Sequence, residues 1–249
     1  ANGEVLSIFE GHQGAVYDAT FSPDDTKIAS ASSDHTIRLW DITASREQTV
    51  LQGHLGDVRT VSFNSDGTKL VSASDDNTVR LWDVARRTTL TIIKAEDIRS
   101  AAISPDGAKI VSASGKKTFR LWDAANGDEL AVFEGHQGTV NNATFSPDGS
   151  YIASWDWDIR LWDVVTKNED IVLKGNNGYI RDVSFSSDGT KIASASDNTI
   201  QLWDVSSEKP LMTVFKEDKG DVAYSAAFSP DGKTVATSWS YAVHLLDAN

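Results

Sequence analysis

KLVSASDDNTVRLWD, residues 69–83, contains two strand-like runs on either side of a polar turn. In the first run, KLVSAS, apolar residues alternate with small ones, as they do in a half-buried strand. The turn, DDNT, is rich in residues that form tight turns and tolerate positive φ. The second run ends on Trp82 and Asp83. The segment therefore predicts an antiparallel β-hairpin.

The Trp-Asp pair that ends this hairpin recurs along the chain. It occurs at residues 40–41, 82–83, 122–123, 162–163 and 203–204, and an altered sixth pair is Leu246-Asp247, with steps of 42, 40, 40, 41 and 43 residues. Each unit also has an earlier strand-like run, a turn such as SPDG and a more variable last run. Four short strands in each unit, without helical periodicity, predict an all-β repeat fold.

The units resemble the WD40 repeat family. In the best-matching units, Gly-His stands near the start, a Ser-x-Asp-x-Thr turn follows, and Trp-Asp comes about 28 residues after the Gly-His. The resemblance covers essentially the whole chain and implies an all-β, six-bladed β-propeller with four antiparallel strands in each blade. We expect residues 1–249 to form a single domain. Its blades are expected at approximately 10–51, 52–93, 94–133, 134–173, 174–215 and 216–249.

The two ends of the chain match an internal segment when they are joined. Residues 245–249, LLDAN, followed by residues 1–12, ANGEVLSIFEGH, correspond to residues 121–136, LWDAANGDELAVFEGH. The last unit lacks its outer strand, and residues 4–9 have the pattern of that strand. We therefore expect residues 1–9 to complete the blade at 216–249, which would close the ring and cover an otherwise open sheet edge.

The resemblance also implies a buried tetrad in each blade, formed by a His, a Ser or Thr, an Asp and the Trp of the Trp-Asp pair. Two units match completely, with His12, Ser30 or Ser32, Asp34 and Trp40 in the first and His54, Ser72 or Ser74, Asp76 and Trp82 in the second. Two match in part, with His136, Asp156 or Asp158 and Trp162 in the fourth and Asp197 and Trp203 in the fifth. The third unit has Lys94 and Lys116 in place of the His and the Asp, and the sixth lacks all three. The third and sixth blades are therefore expected to be the least stable.

A His, an Asp and a Ser could also form a nucleophilic triad. Here the set recurs at the period of the repeat beside a core Trp, whereas a catalytic site needs to occur only once. We therefore interpret the set as structural and predict no catalytic residue and no enzymatic activity. The chain has no Cys, its five His show no metal-ligand spacing, and no Gly-rich phosphate loop is present. Neither a metal site nor a cofactor is predicted.

The net charge restricts the class of partner. A charge of −13 opposes broad binding to nucleic acid or to an anionic membrane, since both need a basic surface. No apolar run approaches the ~18 residues of a membrane span, and no signal peptide is visible. We expect an intracellular, cytoplasmic, monomeric protein whose partner is a peptide or protein segment.

The first strand of each unit carries the candidate binding residues. Its apolar residues, such as Val58, Val61 and Phe63, are separated by three and two positions, whereas a regular strand would separate them by two and two. The extra residue predicts a β-bulge, which redirects side chains. The residues at the bulge vary between units, and by the WD40 resemblance they lie on the top face around the channel mouth. The expected partner-binding residues are Tyr17, Asp57, Arg59, Asp97, Arg99, Asn141, Trp157, Tyr179, Arg181, Asp221 and Trp239.

Two questions stay open for these residues. The three arginines would form a cationic group suited to carboxylates or phosphates, or the neighbouring Asp57, Asp97 and Asp182 would neutralise them. Trp157 and Trp239 stand in shortened turns. They would be exposed anchors, or they would fill the space that the short turns leave.

The function that we predict first is a non-enzymatic scaffold or interaction module that binds a peptide or protein segment on the top face around the central channel. Aromatic and Arg side chains are the usual energetic anchors of interfaces. The alternatives are a sensor or targeting domain excised from a larger signalling protein, and an engineered or minimal propeller with no natural ligand.

Overall fold

The computed structural model describes residues 5–174, 178–207, 209–215 and 222–248. In these residues every regular element is a β-strand, and the strands form six antiparallel sheets. The predicted all-β class is confirmed, and so is the count of six repeats, since each repeat forms one sheet. Within the same ranges there is no helix with the length and apolar character of a membrane span.

The chain packs as two compact units. Unit 1 comprises Ala1–Gly115 and Phe119–Val132, and unit 2 comprises Lys116–Thr118 and Phe133–Asn249. The first three sheets lie largely in unit 1 and consist of β1 (Val16–Phe21), β2 (Lys27–Ser32), β3 (Ile37–Asp41) and β4 (Arg46–Leu51); β5 (Val58–Phe63), β6 (Lys69–Ser74), β7 (Thr78–Asp83) and β8 (Thr88–Lys94); and β9 (Ile98–Ile103), β10 (Lys109–Ser114), β11 (Thr118–Asp123) and β12 (Glu129–Glu134).

Unit 2 holds the other three sheets. They consist of β13 (Asn142–Phe145), β14 (Tyr151–Trp155), β15 (Ile159–Asp163) and β16 (Glu169–Leu173); β17 (Ile180–Phe185), β18 (Lys191–Ser196), β19 (Thr199–Asp204) and β20 (Lys209–Phe215); and β21 (Ala223–Phe228), β22 (Thr234–Trp239) and β23 (Val243–Asp247). Strands pair in chain order within each sheet, as expected for units built from successive hairpins.

The hairpin predicted at residues 69–83 is formed by β6 and β7. Lys69 pairs with Asp83 at its open end, and Ser74 pairs with Thr78 at its turn. The predicted bulge is also present, because the register of β5 and β6 shifts between Val58 and Thr60. The same shift occurs in four further sheets, at Tyr17, Arg99, Arg181 and Tyr224. The bulge therefore places one variable side chain at the same position of each of these first strands.

Neighbouring sheets of a unit share their hydrophobic cores. In unit 1, one cluster joins the first and second sheets and includes Ala29, Ile37, Leu39, Val58, Leu70 and Trp82, all of them buried. In unit 2, the cluster that joins the fourth and fifth sheets includes Ala153, Trp155, Leu161, Ile180, Ile192 and Trp203. A single sheet would leave these faces in water, so each sheet depends on its neighbour within the unit.

The sixth sheet differs from the expectation of four strands. It consists of β21, β22 and β23, and residues 5–9, which were expected to supply its fourth strand, form no strand; residues 1–4 lie outside the described ranges. Phe9 packs on Trp40 of the first sheet with ring centroids 5.6 Å apart, and Phe133 packs on Trp162 in the same way within unit 2, at 5.4 Å. Ser7 Oγ also lies 2.9 Å from Ser45 Oγ.

Candidate functional site

The tetrad of the second sheet is complete and buried. His54 Nδ1 lies 2.9 Å from Asp76 Oδ2, and His54 Nε2 lies 2.7 Å from Ser72 Oγ. Trp82 Nε1 donates a hydrogen bond of 2.9 Å to the same Ser72 oxygen. Thr78 Oγ1 donates to Asp76 Oδ1 at 2.6 Å. The serine is therefore the first of the two alternatives, because Ser72 and not Ser74 lies between the His and the Trp.

Burial and hydrogen bonding set the charge states in this tetrad. Burial is the main cause that lowers the pKa of His54, so the ring is neutral and its Nδ1 proton faces Asp76. For Asp76, burial by itself would raise the pKa. Hydrogen bonds from Thr78, the Leu55 backbone N–H and His54 outweigh it and lower the pKa to about 2. The carboxylate therefore stays ionised well below neutral pH.

The first and fourth sheets repeat this geometry. In the first, His12 lies 2.8 Å from Asp34 and 2.7 Å from Ser30, and Trp40 donates to Ser30 at 2.8 Å. In the fourth, His136 lies 2.9 Å from Asp156 and 2.7 Å from Ser154, to which Trp162 donates at 2.8 Å. Asp156 rather than Asp158 is thus the acid of the fourth tetrad. In both sheets burial acts against ionisation, but hydrogen bonds to the carboxylate lower the pKa of Asp34 and of Asp156.

These sets cannot act as hydrolytic triads. The serine that would attack a substrate is 0% exposed at Ser72 and 5% exposed at Ser30, so no substrate can reach its oxygen. That oxygen also accepts the indole N–H of the tetrad Trp. The geometry supports the structural interpretation. Each set joins the loop before the first strand, the second strand, the turn after it and the third strand of one sheet.

The other sheets have only part of the tetrad. Trp122 donates to Ser112 at 2.8 Å in the third sheet, and Trp203 donates to Ser194 at 3.1 Å in the fifth. Asp197, which was expected to join Trp203, accepts a hydrogen bond from Arg181 at 3.2 Å. Asn176, at the His position of this repeat, lies outside the described residues, so the place of Asp197 in the tetrad stays a prediction. The turn after β18 is one residue shorter than the turn after β6. The low stability expected for the third and sixth sheets stays a prediction.

In unit 1, three of the expected binding residues form one ion-paired group with a neighbouring acid. They are Tyr17, Asp57 and Arg59, and the acid is Asp75. The Arg59 guanidinium lies over the Tyr17 ring, 4.4 Å from its centroid, and Tyr17 Oη donates to Asp57 at 3.0 Å. Arg59 Nε and Nη2 donate to Asp75 at 3.0 and 2.5 Å. The Asp75 hydrogen bonds are the main cause that raises the pKa of Arg59. This arginine is therefore neutralised by carboxylates of its own sheet.

Arg99 occupies the same bulge position in the third sheet but has no such partner. Sixteen residues after Arg59 comes Asp75, whereas sixteen residues after Arg99 comes Gly115. Arg99 is exposed, and it makes no ion pair with any residue that the structure describes. Asp97 does not replace the missing acid, because its carboxylate lies against Gly115, whose added Cβ would stand 2.2 Å from Asp97 Oδ2. We call Tyr17, Asp57, Arg59, Asp75 and Arg99 the unit 1 patch.

In the first, second and fifth sheets the residue after the bulge position connects neighbouring sheets, which the sequence did not reveal. Asp18 Oδ2 accepts the backbone N–H of Val61 at 2.9 Å, and Thr60 Oγ1 accepts that of Ala101 at 3.1 Å. In unit 2, Asp182 accepts from the Ser225 hydroxyl at 2.5 Å. Asp182 is therefore engaged between sheets and does not neutralise Arg181. A small acceptor directly after the variable residue is the signal that could have predicted these bonds.

Unit 2 has an aromatic group at the equivalent end of its sheets. Trp157 is 52% exposed and meets Tyr179 edge to face, with ring centroids 5.6 Å apart. The Tyr179 hydroxyl donates to Asn141, and Asn141 Nδ2 donates to the Ile180 carbonyl at 2.9 Å. Arg181, which pairs with Asp197, lies 5.6 Å from the ring centroid of Tyr224. Tyr224 is at the bulge position of the sixth sheet, and it was not among the binding residues expected from the sequence. The unit 2 patch is defined as Asn141, Trp157, Tyr179, Arg181 and Tyr224.

Trp239 is not an exposed anchor. It is 5% exposed and belongs to the buried cluster of the fifth and sixth sheets. Its indole donates to Thr237 at 3.0 Å, and its ring lies 5.9 Å from that of His244. Trp239 ends β22 and pairs with Ala223, a position that faces the core, so it fills the space beside the short turn. Asp221, the remaining expected binding residue, lies outside the described residues.

The part of the chain that the structure describes has no group of three or more His, Cys, Asp or Glu residues that could hold a metal ion. The two patches present an unpaired guanidinium in unit 1 and exposed aromatic rings with an ion-paired guanidinium in unit 2.

Comparison with known families gives one extended match. The WD40 family model, described as WD domain, G-beta repeat, matches residues 3–41, 45–83, 87–123, 127–163 and 168–204. The five segments cover well over half of the chain.

Matches to individual proteins are shorter. A segment of 45 residues is 49% identical to eukaryotic translation initiation factor 3 subunit I of Neurospora crassa and covers 18% of this chain and 13% of that protein. The subunit of the same name from Botryotinia fuckeliana is 44% identical over 45 residues, again 18% and 13% of the two chains. The one from Aspergillus oryzae is 45% identical over 42 residues, 17% and 12% of the two chains. The chain thus matches about an eighth of the length of these relatives.

Proposed function

The chain belongs to the WD40 family and has the fold class of a six-bladed β-propeller, and from this we propose that it is a non-enzymatic interaction module that binds a peptide or protein segment. Fold alone does not determine function, so the proposal rests on particular residues. The observation that carries it is the unpaired guanidinium of Arg99, at a position where the arginines of the second and fifth sheets have carboxylate partners.

An exposed arginine without an acid is suited to a carboxylate. Its planar guanidinium donates two parallel hydrogen bonds to the two carboxylate oxygens, which fixes the orientation of the ligand. The packed strands β5 and β9 hold Arg99 in the sheet beside that of Arg59, and β1, which carries Tyr17, packs on β5 in turn. In the ligand, we therefore expect an Asp, a Glu or a terminal carboxylate at the position that contacts Arg99, and an apolar or aromatic residue beside it.

The unit 2 patch supports the same function with different chemistry. Trp157 and Tyr224 are each 52% exposed. Large aromatic side chains supply contact area at low cost in conformational entropy, and they are common hot spots of interfaces. Each patch is proposed as a binding surface in its own right and can be tested by itself.

The relatives add limited support. They are named as subunits of a translation initiation factor, and a subunit is held in an assembly by contacts with other proteins. This agrees with an interaction module and with an intracellular location, which are both part of the proposal. Because the match covers 45 residues, which is about the length of one repeat, the assembly named for the relatives is not transferred to this chain.

The first test selects peptide ligands and then removes the charge of Arg99. A random peptide library displayed on phage would be selected on the full chain, and the Kd of each selected peptide would be measured by fluorescence anisotropy. We expect the peptides to share an acidic position and Arg99→Gln to weaken them by about 10- to 100-fold, since a hydrogen bond to a charged group contributes about 1.5–3 kcal/mol.

The matched control is Arg120→Gln. Arg120 lies in β11 of the same sheet and pairs with Glu129 at 3.4 Å, so this substitution changes the net charge equally at a different place. Its Kd should stay within about twofold of the unmodified chain. Equal losses in the two variants would mean that the peptides sense overall charge and would contradict the role of Arg99. A selection that yields no peptide with a measurable Kd would contradict the interaction module itself.

A further inference from the structure

At the opposite end of the sheets from the unit 1 patch, unit 1 has a groove of about 490 Å³ between its first and second sheets. The patch lies where β5 begins and β6 ends, and the groove lies where β6 begins and β7 ends. Its walls include Lys27 of β2, Lys69 of β6 and the β7–β8 turn with Arg86 and Arg87. The groove is therefore separate from the surface proposed above.

The charge of the groove is opposite to that of the protein. Four of its lining residues are cations, Lys27, Lys69, Arg86 and Arg87, and among the described residues that line it Asp83 is the one acid. The chain as a whole carries −13. A concentration of positive charge on an acidic protein creates a local potential that attracts anions.

Two of these four cations are ion-paired from within, Arg86 with Asp83 and Lys27 with Asp24. Lys69 Nζ donates to the Gly107 carbonyl at 2.8 Å, which is a neutral partner. In the described ranges neither Lys69 nor Arg87 makes an ion pair. Asp83 is engaged by Arg86, whose backbone N–H and guanidinium each donate to it at 2.7 Å. Lys27 lies 3.8 Å from Asp24, a carboxylate that is itself 60% exposed.

The turn does not require arginine at either position. The residues that correspond to Arg86 and Arg87 are Ala44-Ser45 in the first sheet, Asn126-Gly127 in the third and Thr166-Lys167 in the fourth. Arg87 has φ +60°, and Gly127 has φ +79°. Glycine adopts such angles without strain, whereas a long side chain rarely does. The fold thus accepts a slightly unfavourable residue that adds nothing to the turn itself.

From these observations we infer that the groove binds a compact small molecule that carries two or more phosphate groups. Lys69 and Arg87 make no ion pair within the described ranges and leave two positive charges for a ligand, and Arg and Lys are the usual donors to phosphate oxygens. The volume lies in the range of small-molecule sites. The half-exposed Leu90 offers an apolar wall for the part of the ligand between or beside the phosphates.

Sodium tripolyphosphate is the probe for the test, titrated into the full chain by isothermal calorimetry at low and at physiological salt. We expect saturable binding with one ligand per chain. Arg87→Gly, which keeps the turn because glycine suits its φ, should weaken the Kd at least tenfold. Lys167→Gly is the matched control, because Lys167 has φ +62° at the same turn position of the fourth sheet and carries the same charge. Its Kd should change less than twofold.

Other outcomes of this titration overturn the inference. Absence of saturable binding at millimolar tripolyphosphate would do so, and so would equal losses in Arg87→Gly and Lys167→Gly, which would indicate binding by diffuse charge. A peptide with two adjacent phosphoserines provides a second arm. If it binds more tightly than tripolyphosphate and loses affinity in Arg87→Gly, the occupant is a protein segment and not a small molecule.

Discussion

Trp82→Ala is expected to lower the free energy of unfolding by about 3–5 kcal/mol, the usual loss for an aromatic residue removed from a packed core. Trp82 is 2% exposed and packs in the cluster that joins the first two sheets with Ile37, Leu39 and Val58. Its removal opens a cavity there and leaves Ser72 without the indole donor. Urea unfolding followed by circular dichroism would measure the loss, with the slope of the transition checked for two-state behaviour.

The control for this prediction is Trp157→Ala, which removes the same side chain from the surface. Trp157 is 52% exposed and has its edge-to-face contact with Tyr179. We expect a loss below about 1 kcal/mol, since an exposed aromatic pair contributes little beyond its partial burial. Equal losses at the two positions would contradict the core that the structure shows between the first two sheets.

Asp76→Asn is expected to cost about 2 kcal/mol at neutral pH, which corresponds to the lowering of the Asp76 pKa from 3.8 to about 2. Because the pKa in the folded protein lies below the ordinary value, the ionised group stabilises the fold at every pH above that ordinary value. The contribution declines as the pH falls from about 4 and is lost near pH 2. The difference between the two proteins should therefore be constant above pH 5 and should shrink as the pH approaches 2.

Urea unfolding at a series of pH values between 7 and 2 would measure this difference. Asp34 and Asp156 also have lowered pKa values, but both proteins retain them, so the difference isolates Asp76. Asp25→Asn is the control, because Asp25 is exposed on the turn before β2 and Asn tolerates its φ of +55°. A pH-independent difference for Asp76→Asn would show that the loss comes from packing rather than from the charge.

The repeated features were predictable from sequence because each appears several times in register. The Trp-Asp pairs located the third strands, and the three-and-two spacing around Arg59 predicted a bulge that the structure confirms. Alternatives that differ by two residues, such as Ser30 and Ser32, needed the side-chain directions of the structure. Both are buried and lie on the same side of the strand, but only Ser30 contacts the His and the Trp.

The departures arise where a turn changes length or where a contact is distant in sequence. The turn after β18 is one residue shorter than the turn after β6, and the hydrogen bond from Arg181 to Asp197 was not predicted. Trp157 and Trp239 stand in similarly shortened turns, yet one is exposed and the other is buried. Trp239 is buried because it is the last residue of β22 and faces the core, whereas Trp157 is exposed because it lies in the turn between β14 and β15. The absence of a carboxylate for Arg99, in contrast, could have been predicted from the glycine at position 115.

The eight tryptophans give the protein a built-in optical probe. Seven of them are between 0 and 6% exposed, and Trp157 is 52% exposed. Since a dissolved quencher such as iodide must touch an indole to extinguish its fluorescence, it acts on this one residue in the folded chain. A ligand that covers the unit 2 patch would shield Trp157 from iodide, and a phosphate compound in the groove of unit 1 would leave the quenching unchanged. Unlabelled protein can thus report whether a ligand occupies the unit 2 patch.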